Sequence, residues 1–118
     1  MHPLRSRKDI HRTFQEGARA YSSWAVLHAR RRSAAENACE PRLGVVAGKR
    51  FRHAVPRNRA RRLLRETARV LLGRRPAPWD LLLVARPEVL NSAFPERLAA
   101  LQSMLRQVGV LDEMSCPA

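Results

Sequence analysis

Cysteine is scarce: Cys39 and Cys116 are the only two in 118 residues, and no CxxC spacing exists. A thiolate-rich zinc site is therefore excluded, and both residues, in segments that read as loop or tail, are read as free thiols. No apolar run approaches the roughly 20 residues needed to cross a bilayer. The N-terminus MHPLRSRKDIHRTF has no apolar core of the kind a secretory signal needs, so a cytoplasmic location is expected. Acids number ten and are dispersed, which leaves no carboxylate pair for a two-metal hydrolytic site. His2, His11, His28 and His53 fall in different elements, and no two share helical metal-ligand spacing. No catalytic or metal-ligating residues are assigned. Lysine too is nearly absent, at Lys8 and Lys49 alone.

What the chain does have is arginine. Lys plus Arg total 23, for a formal net charge of +13. Such an excess repels itself in the compact state, and a polyanionic partner relieves it. Guanidinium forks favour bidentate phosphate contacts and stacking on bases, which points to nucleic acid. Apolar residues make up 45% of the sequence, enough for one modest core. A single domain over 1–111 is expected, with 112–118 as a flexible tail.

Ser6 to Asp9 reads as a capping box opening a short helix that carries Ile10 and Phe14 on one side and ends at Gly17. Trp24 to Arg30 reads as a strand with Ala25, Leu27 and Ala29 on one face and Val26, His28 and Arg30 on the other. Ser33 to Pro41 is a connecting loop. Leu43 to Lys49 is a second strand, in which Gly44 and Gly48 permit close approach of another backbone. Trp79 to Ala85, apolar on both faces, suits a central strand, and the proline-rich 75–78 leads into it. A last helix is expected from Ser92 to Val108, with Phe94, Leu98, Leu101, Leu105 and Val108 as its core stripe and Gly109 as its end.

The informative stretch is Pro56 to Gly73, whose proline suits a first helical turn and whose glycine suits a stop. At 100° per residue, with Arg57 at zero, Arg61, Arg65, Asn58, Arg69 and Arg62 fall within roughly the next 140°. Ala60, Leu63, Leu64, Thr67, Val70 and Leu71 lie opposite, with Ala68 at the edge. Like charges at i,i+4, as at Arg57, Arg61 and Arg65, repel by a few tenths of a kcal/mol each. Only Glu66 interrupts them, so phosphate contact is the better account of the face. The helix alone does not distinguish RNA from DNA.

Arg57-Asn58-Arg59-Ala60-Arg61-Arg62-Leu63-Leu64-Arg65-Glu66 resembles the RNR signature, R-N-x-x-K-R-x-x-R-E, of the bacterial ribonuclease P protein family. Arg61 stands where the family usually has lysine; every other specified position matches. The similarity extends through the LGVVAGKR and DLLLVAR strands and the RTFQEG helix, from about Arg5 to Val108. Upstream of the signature the family often carries glycine and asparagine, where this chain has Arg52 and His53.

The resemblance implies an α/β fold, an α+β sandwich with about four strands in a mixed sheet flanked by three helices and a left-handed βαβ crossover. The candidate for the fourth strand is Ala18 to Ser22. It also implies a protein subunit of a tRNA 5′-processing endoribonuclease in which the RNA does the chemistry. The expected partners are the catalytic ribonuclease P RNA and precursor tRNA, with no membrane and no small-molecule substrate. Arg57, Asn58, Arg61, Arg62, Arg65 and Arg69 would meet the catalytic RNA, with Lys49 and Arg50 beside them. Phe14, His28 and Ile10 would line the cleft for the 5′ leader. No cofactor is expected on the protein alone; Mg2+ would be held mainly by RNA. The alternative reading is a ribosomal-type structural RNA-binding protein, from which the placement of Asn58 and Glu66 in the signature discriminates.

Overall fold

A computed structural model of the chain describes residues 2–32, 40–48, 50–73 and 78–110. Most of the expected 33–41 loop, the 75–77 part of the proline link, both cysteines, Lys49 and the tail 112–118 lie outside the described residues. In chain order the elements are β1 (His2–Pro3), α1 (Arg7–Glu16), β2 (Ala18–Tyr21), β3 (Ala25–Arg31), β4 (Arg42–Ala47), α2 (Ala54–Leu72), β5 (Trp79–Ala85), a 3-10 turn (Pro87–Asn91) and α3 (Phe94–Gln107). The sheet runs β1-β4-β5-β3-β2 and is mixed. β4 lies parallel to β5 and to β1, while β3 lies antiparallel to β5 and to β2. The α+β class is as expected, with five strands instead of four. The extra one, β1, is two residues long, too short for alternation to reveal it.

Strand alternation sorts the sheet into two faces. One carries Ala20, Leu27, Ala29, Leu43, Ala47, Leu81, Leu83 and Ala85, all buried in one cluster with Ala60, Leu64, Ala68 and Leu71 of α2 and Leu101, Met104 and Leu105 of α3. Each such leucine removed from water contributes about 1.5–3 kcal/mol. The second face is built in cross-strand rows. Arg30, Asp80 and Arg42 form the first, Arg19, His28, Leu82 and Gly44 the second, and Tyr21, Val26, Val84 and Val46 the third. α1 packs over this face against β3 and β5.

The first row anchors α1. Asp80 is fully buried and receives Arg42 through two bonds of 2.7 Å, Arg32 at 2.8 Å and Arg30 at 3.3 Å. Burial alone would raise the Asp80 pKa; the hydrogen bonds and charges of Arg42 and Arg32 overcome it and hold the carboxyl below its ordinary value. Arg42 also reaches Asp9, near the start of α1, at 3.2 Å, and Arg30 reaches Glu16, its last residue, at 3.6 Å. Asp9 and Glu16 lie about 10 Å apart along a helix, and β4 and β3, one strand removed from each other, are separated by about as much. The helix is thus clamped at both ends across three strands.

Several local expectations change. Ser6 does cap α1, its hydroxyl accepting from the Asp9 amide at 3.4 Å. Gly17 follows the helix in extended conformation, and its need is spatial: a Cβ there would lie 2.8 Å from the Ala29 carbonyl oxygen. Gly44 is tight against Leu82 and Leu4, whereas Gly48 has open space and no close backbone. Gly109 ends the α3 region in the left-handed region at φ 88°. In α3 the inward stripe is Arg97, Leu101, Met104 and Leu105, while Phe94 is exposed and Leu98 half-buried. Arg97 displaces Phe94 because its guanidinium finds Thr67 and Ser92 inside, and it lies over the Phe94 ring.

Replacing Asp80 with asparagine should cost about 3–5 kcal/mol in urea unfolding, since three guanidiniums lose their counter-charge. Arg106→Ala on the exposed side of α3 should stay within about 0.5 kcal/mol.

Candidate nucleic-acid interface

α2 begins at Ala54, with Pro56 in its first turn as expected, and Gly73 caps it in right-handed conformation. Its buried residues are Ala60, Leu64, Thr67, Ala68, Leu71 and Leu72. The inward arc is therefore centred about 20° short of Arg57 on the 100° wheel. Two consequences correct the sequence reading. Val70, expected inside, is 62% exposed, and Ala68, placed at the edge, is fully buried. Arg57 and Arg61 fall between Leu64 and Leu72 on the wheel, inside the span of the buried arc, and both are half-buried.

Arg57 donates to the Phe51 carbonyl at 2.8 Å, tying the helix start to the loop that precedes it. Arg61 approaches the Asn58 side-chain oxygen at 3.4 Å. The Nε atoms of Arg57 and Arg61 are buried with no hydrogen-bond partner. Asn58, Arg62, Arg65 and Arg69 are exposed on the outer arc, as is Arg50 before the helix. Among the described residues, no carboxylate forms an ion pair with an arginine of α2. The expected face is brought together by one helix and left without counter-charge.

The other group assembles where α1 meets the sheet. Phe14 is 47% exposed, and its ring stands 4.7 Å from that of His28 at an interplanar angle of 34°. His28 is only 3% exposed, so its ring serves as backing for Phe14 and its Nδ1 has no partner. Burial, then the charge of Arg19, lowers the His28 pKa from 6.5. Ile10 is half-buried and lines a groove with Pro3, Leu4, Arg5, Gly44, Val46, Leu82 and Arg65, so the cleft under α1 reaches α2 around the β4 edge.

Sequence reasoning missed the rest of the cleft. The third row presents an apolar floor that α1 leaves open: Tyr21 is 60% exposed and Val46 38%. Arg50 and Arg86 line the depression at its end, with Val26 and Val84. Arg19 lies 5.8 Å from the Phe14 ring centroid. Alternation within β2 could have placed Tyr21 beside Val26, but only once the two strands were known to pair.

These features define a class: a basic α/β protein whose uncompensated cationic helix and aromatic cleft suit a polyanion. The Ribonuclease P family model matches residues 1–109. The ribonuclease P protein component of Chloroflexus aurantiacus is 38% identical over 112 residues, spanning 92% of this chain and 78% of the relative. That of Cyanothece sp. is 36% identical over 121 residues, spanning 92% of each. The solved ribonuclease P protein of Thermotoga maritima superposes with a TM-score of 0.74 at 26% identity, covering 92% of this chain and 98% of that one. The chain belongs to the ribonuclease P protein family, the protein components of a tRNA-processing endoribonuclease. No helix among the described residues is long and apolar enough to cross a membrane.

The lowered His28 pKa sets a pH dependence. Above about pH 6.5 the imidazole is neutral in both folded and unfolded chains. Below it the unfolded chain binds a proton that the folded chain resists, so stability should fall as pH drops. Urea unfolding from pH 7.5 to 5 should show that loss, and His28→Phe should make the curve flatter over the same interval.

Proposed function

We propose that this chain is the protein subunit of ribonuclease P, binding the catalytic RNA through α2 and the 5′ leader of precursor tRNA through the cleft between α1 and the sheet. The reading rests above all on the α2 face, where guanidiniums are gathered at helical spacing and, among the described residues, no acid pairs with them. The exposed guanidiniums of Arg62, Arg65 and Arg69 offer donors that RNA phosphate oxygens accept. Arg57, anchored on Phe51, orients the helix start as well as adding charge.

In the cleft, Phe14 backed by His28 offers a stacking platform, and Tyr21 offers a second on the open floor. Each stacked base contributes about 1–3 kcal/mol. Arg50 and Arg86 stand at the end of the floor, where a single strand crossing it brings a phosphate. Lys49, next to Arg50 in sequence, is a further charge that we assign to RNA contact.

The protein holds and positions RNA, and the RNA cleaves. The carboxylates near the cleft do not suit a magnesium ion, because Asp80 faces three guanidiniums and Asp9 and Glu16 each face one. Any magnesium that the holoenzyme needs would be held mainly by RNA phosphates, where it would supply charge neutralisation. The chain acts in the cytoplasm, where precursor tRNA is made.

Added to a bacterial ribonuclease P RNA at low magnesium, the protein should restore 5′ cleavage of precursor tRNA. The protein alone should cleave nothing; robust cleavage by nuclease-free protein without RNA refutes the division of labour. With some six phosphates contacted, the log–log salt slope of RNA binding should lie near about −5. Arg65→Ala should weaken that binding and reduce the slope by about 1, whereas Arg106→Ala should leave both unchanged.

A further inference from the structure

α1 carries a second cationic surface that the α2 face and the cleft leave unexplained. At 100° per residue, Arg7, His11, Gln15, Lys8 and Arg12 fall within roughly 140° on one side of the helix, and Arg5 precedes them. Arg5, Arg7, Lys8 and His11 are exposed and Arg12 is half-buried. The helix contains two acids, Asp9 and Glu16, and both are held by sheet arginines, Arg42 and Arg30. Among the described residues, no carboxylate pairs with Arg5, Arg7, Lys8 or Arg12. The clamp that fixes α1 thus strips its outer side of counter-charge.

The arrangement works against the helix itself. Arg7 and Lys8 lie in the first turn, where the aligned peptide dipoles disfavour cations by about 0.3–1 kcal/mol each. Arg7 with His11 and Lys8 with Arg12 are spaced at i,i+4, where like charges repel. Stability alone selects acids at such positions; a polyanion lying along the helix reverses the sign of both effects.

We infer that the outer arc of α1 binds the phosphate backbone of an RNA helix distinct from the one met by α2. The two helices lie on opposite faces of the sheet, with axes on the order of 20 Å apart; Arg5 and Arg65 share the groove at the β4 edge, and the rest of the two basic arcs face away from each other. One straight duplex therefore cannot lie on both, and the protein bridges two RNA segments. The inference builds on the proposed role on folded RNA, but its surface is separate and fails separately.

The full-length chain is titrated with a 20-base-pair RNA duplex across a range of salt, beside a variant carrying Arg7→Gln, Lys8→Gln and Arg12→Gln. The expected result is a salt slope shallower by about 3 and a fall from two bound duplexes per chain to one. The thermal midpoint should be unchanged or higher, because unfavourable first-turn charges are gone. An unchanged slope and stoichiometry overturn the inference. So does an equal loss from Arg12→Gln and Arg106→Gln, which remove the same charge on and off the arc. An α2 variant with Arg61→Gln, Arg62→Gln and Arg65→Gln separates the two readings. If it binds both duplexes as before while the α1 variant loses one, the α2 assignment fails and the α1 surface stands. With the catalytic RNA in place of the duplex, a one-to-one complex weakened by the α1 variant assigns both segments to one RNA; recruitment of a second RNA molecule assigns them to two.

Discussion

A single carboxylate at the centre of the sheet fixes the arrangement of everything around it. Asp80 is fully buried on the middle strand and faces Arg30, Arg32 and Arg42. An isolated buried ion costs several kcal/mol, and these guanidiniums, two of them on strands flanking β5, offset that cost only while the strands hold their register. The same arginines turn outward to Asp9 and Glu16, so the network passes from β5 through β4 and β3 to both ends of α1. The height and tilt of α1 over the sheet follow from this clamp. So does the meeting of Phe14 with His28, which lie one on the helix and one on the strand beneath.

The clamp also decides where charge resides. Acids are few, and three of them are paired with arginines of the sheet. The outer surfaces of α1 and α2 are consequently cationic without internal compensation, an arrangement that disfavours the isolated fold and favours a complex with polyanion. Between these surfaces lies an open part of the second sheet face, with aromatic and valine side chains for a floor. A positively charged approach combined with stacking surface is what single-stranded RNA binding needs. Membership of the ribonuclease P protein family accords with a chain that presents cationic surface and stacking side chains.

Much of this was legible in the residues. The alternation of Ala25, Leu27 and Ala29 against Val26 and His28 placed both faces of β3 correctly, and the unbroken apolar run 81–84 marked β5 as central. α2 was readable end to end, because arginines and leucines at steps of three and four announce a helix whatever surrounds them. The weak candidate strand at 18–22 proved real, held by pairing with β3. Misjudged positions were those set by contact. The inward arc of α2 is rotated from its expected place, which exposes Val70 and half-buries Arg57 and Arg61. Arg97 replaces Phe94 inside α3 because Thr67 and Ser92, on other elements, accept its hydrogen bonds.

The sequence by itself determined the periodic features: two basic amphipathic helices, alternating strands, an arginine-rich signature and an excess of charge demanding a polyanion. Periodicity is a property of neighbours in the chain, so it can be read without knowing the fold. Tertiary structure alone decided the Asp80 network, whose partners stand 38 to 50 residues away in sequence. It likewise decided the four-strand row from Tyr21 to Val46 and the pairing of both α1 acids with sheet arginines. Those depend on strand order and register, which set distances between residues that no local pattern connects.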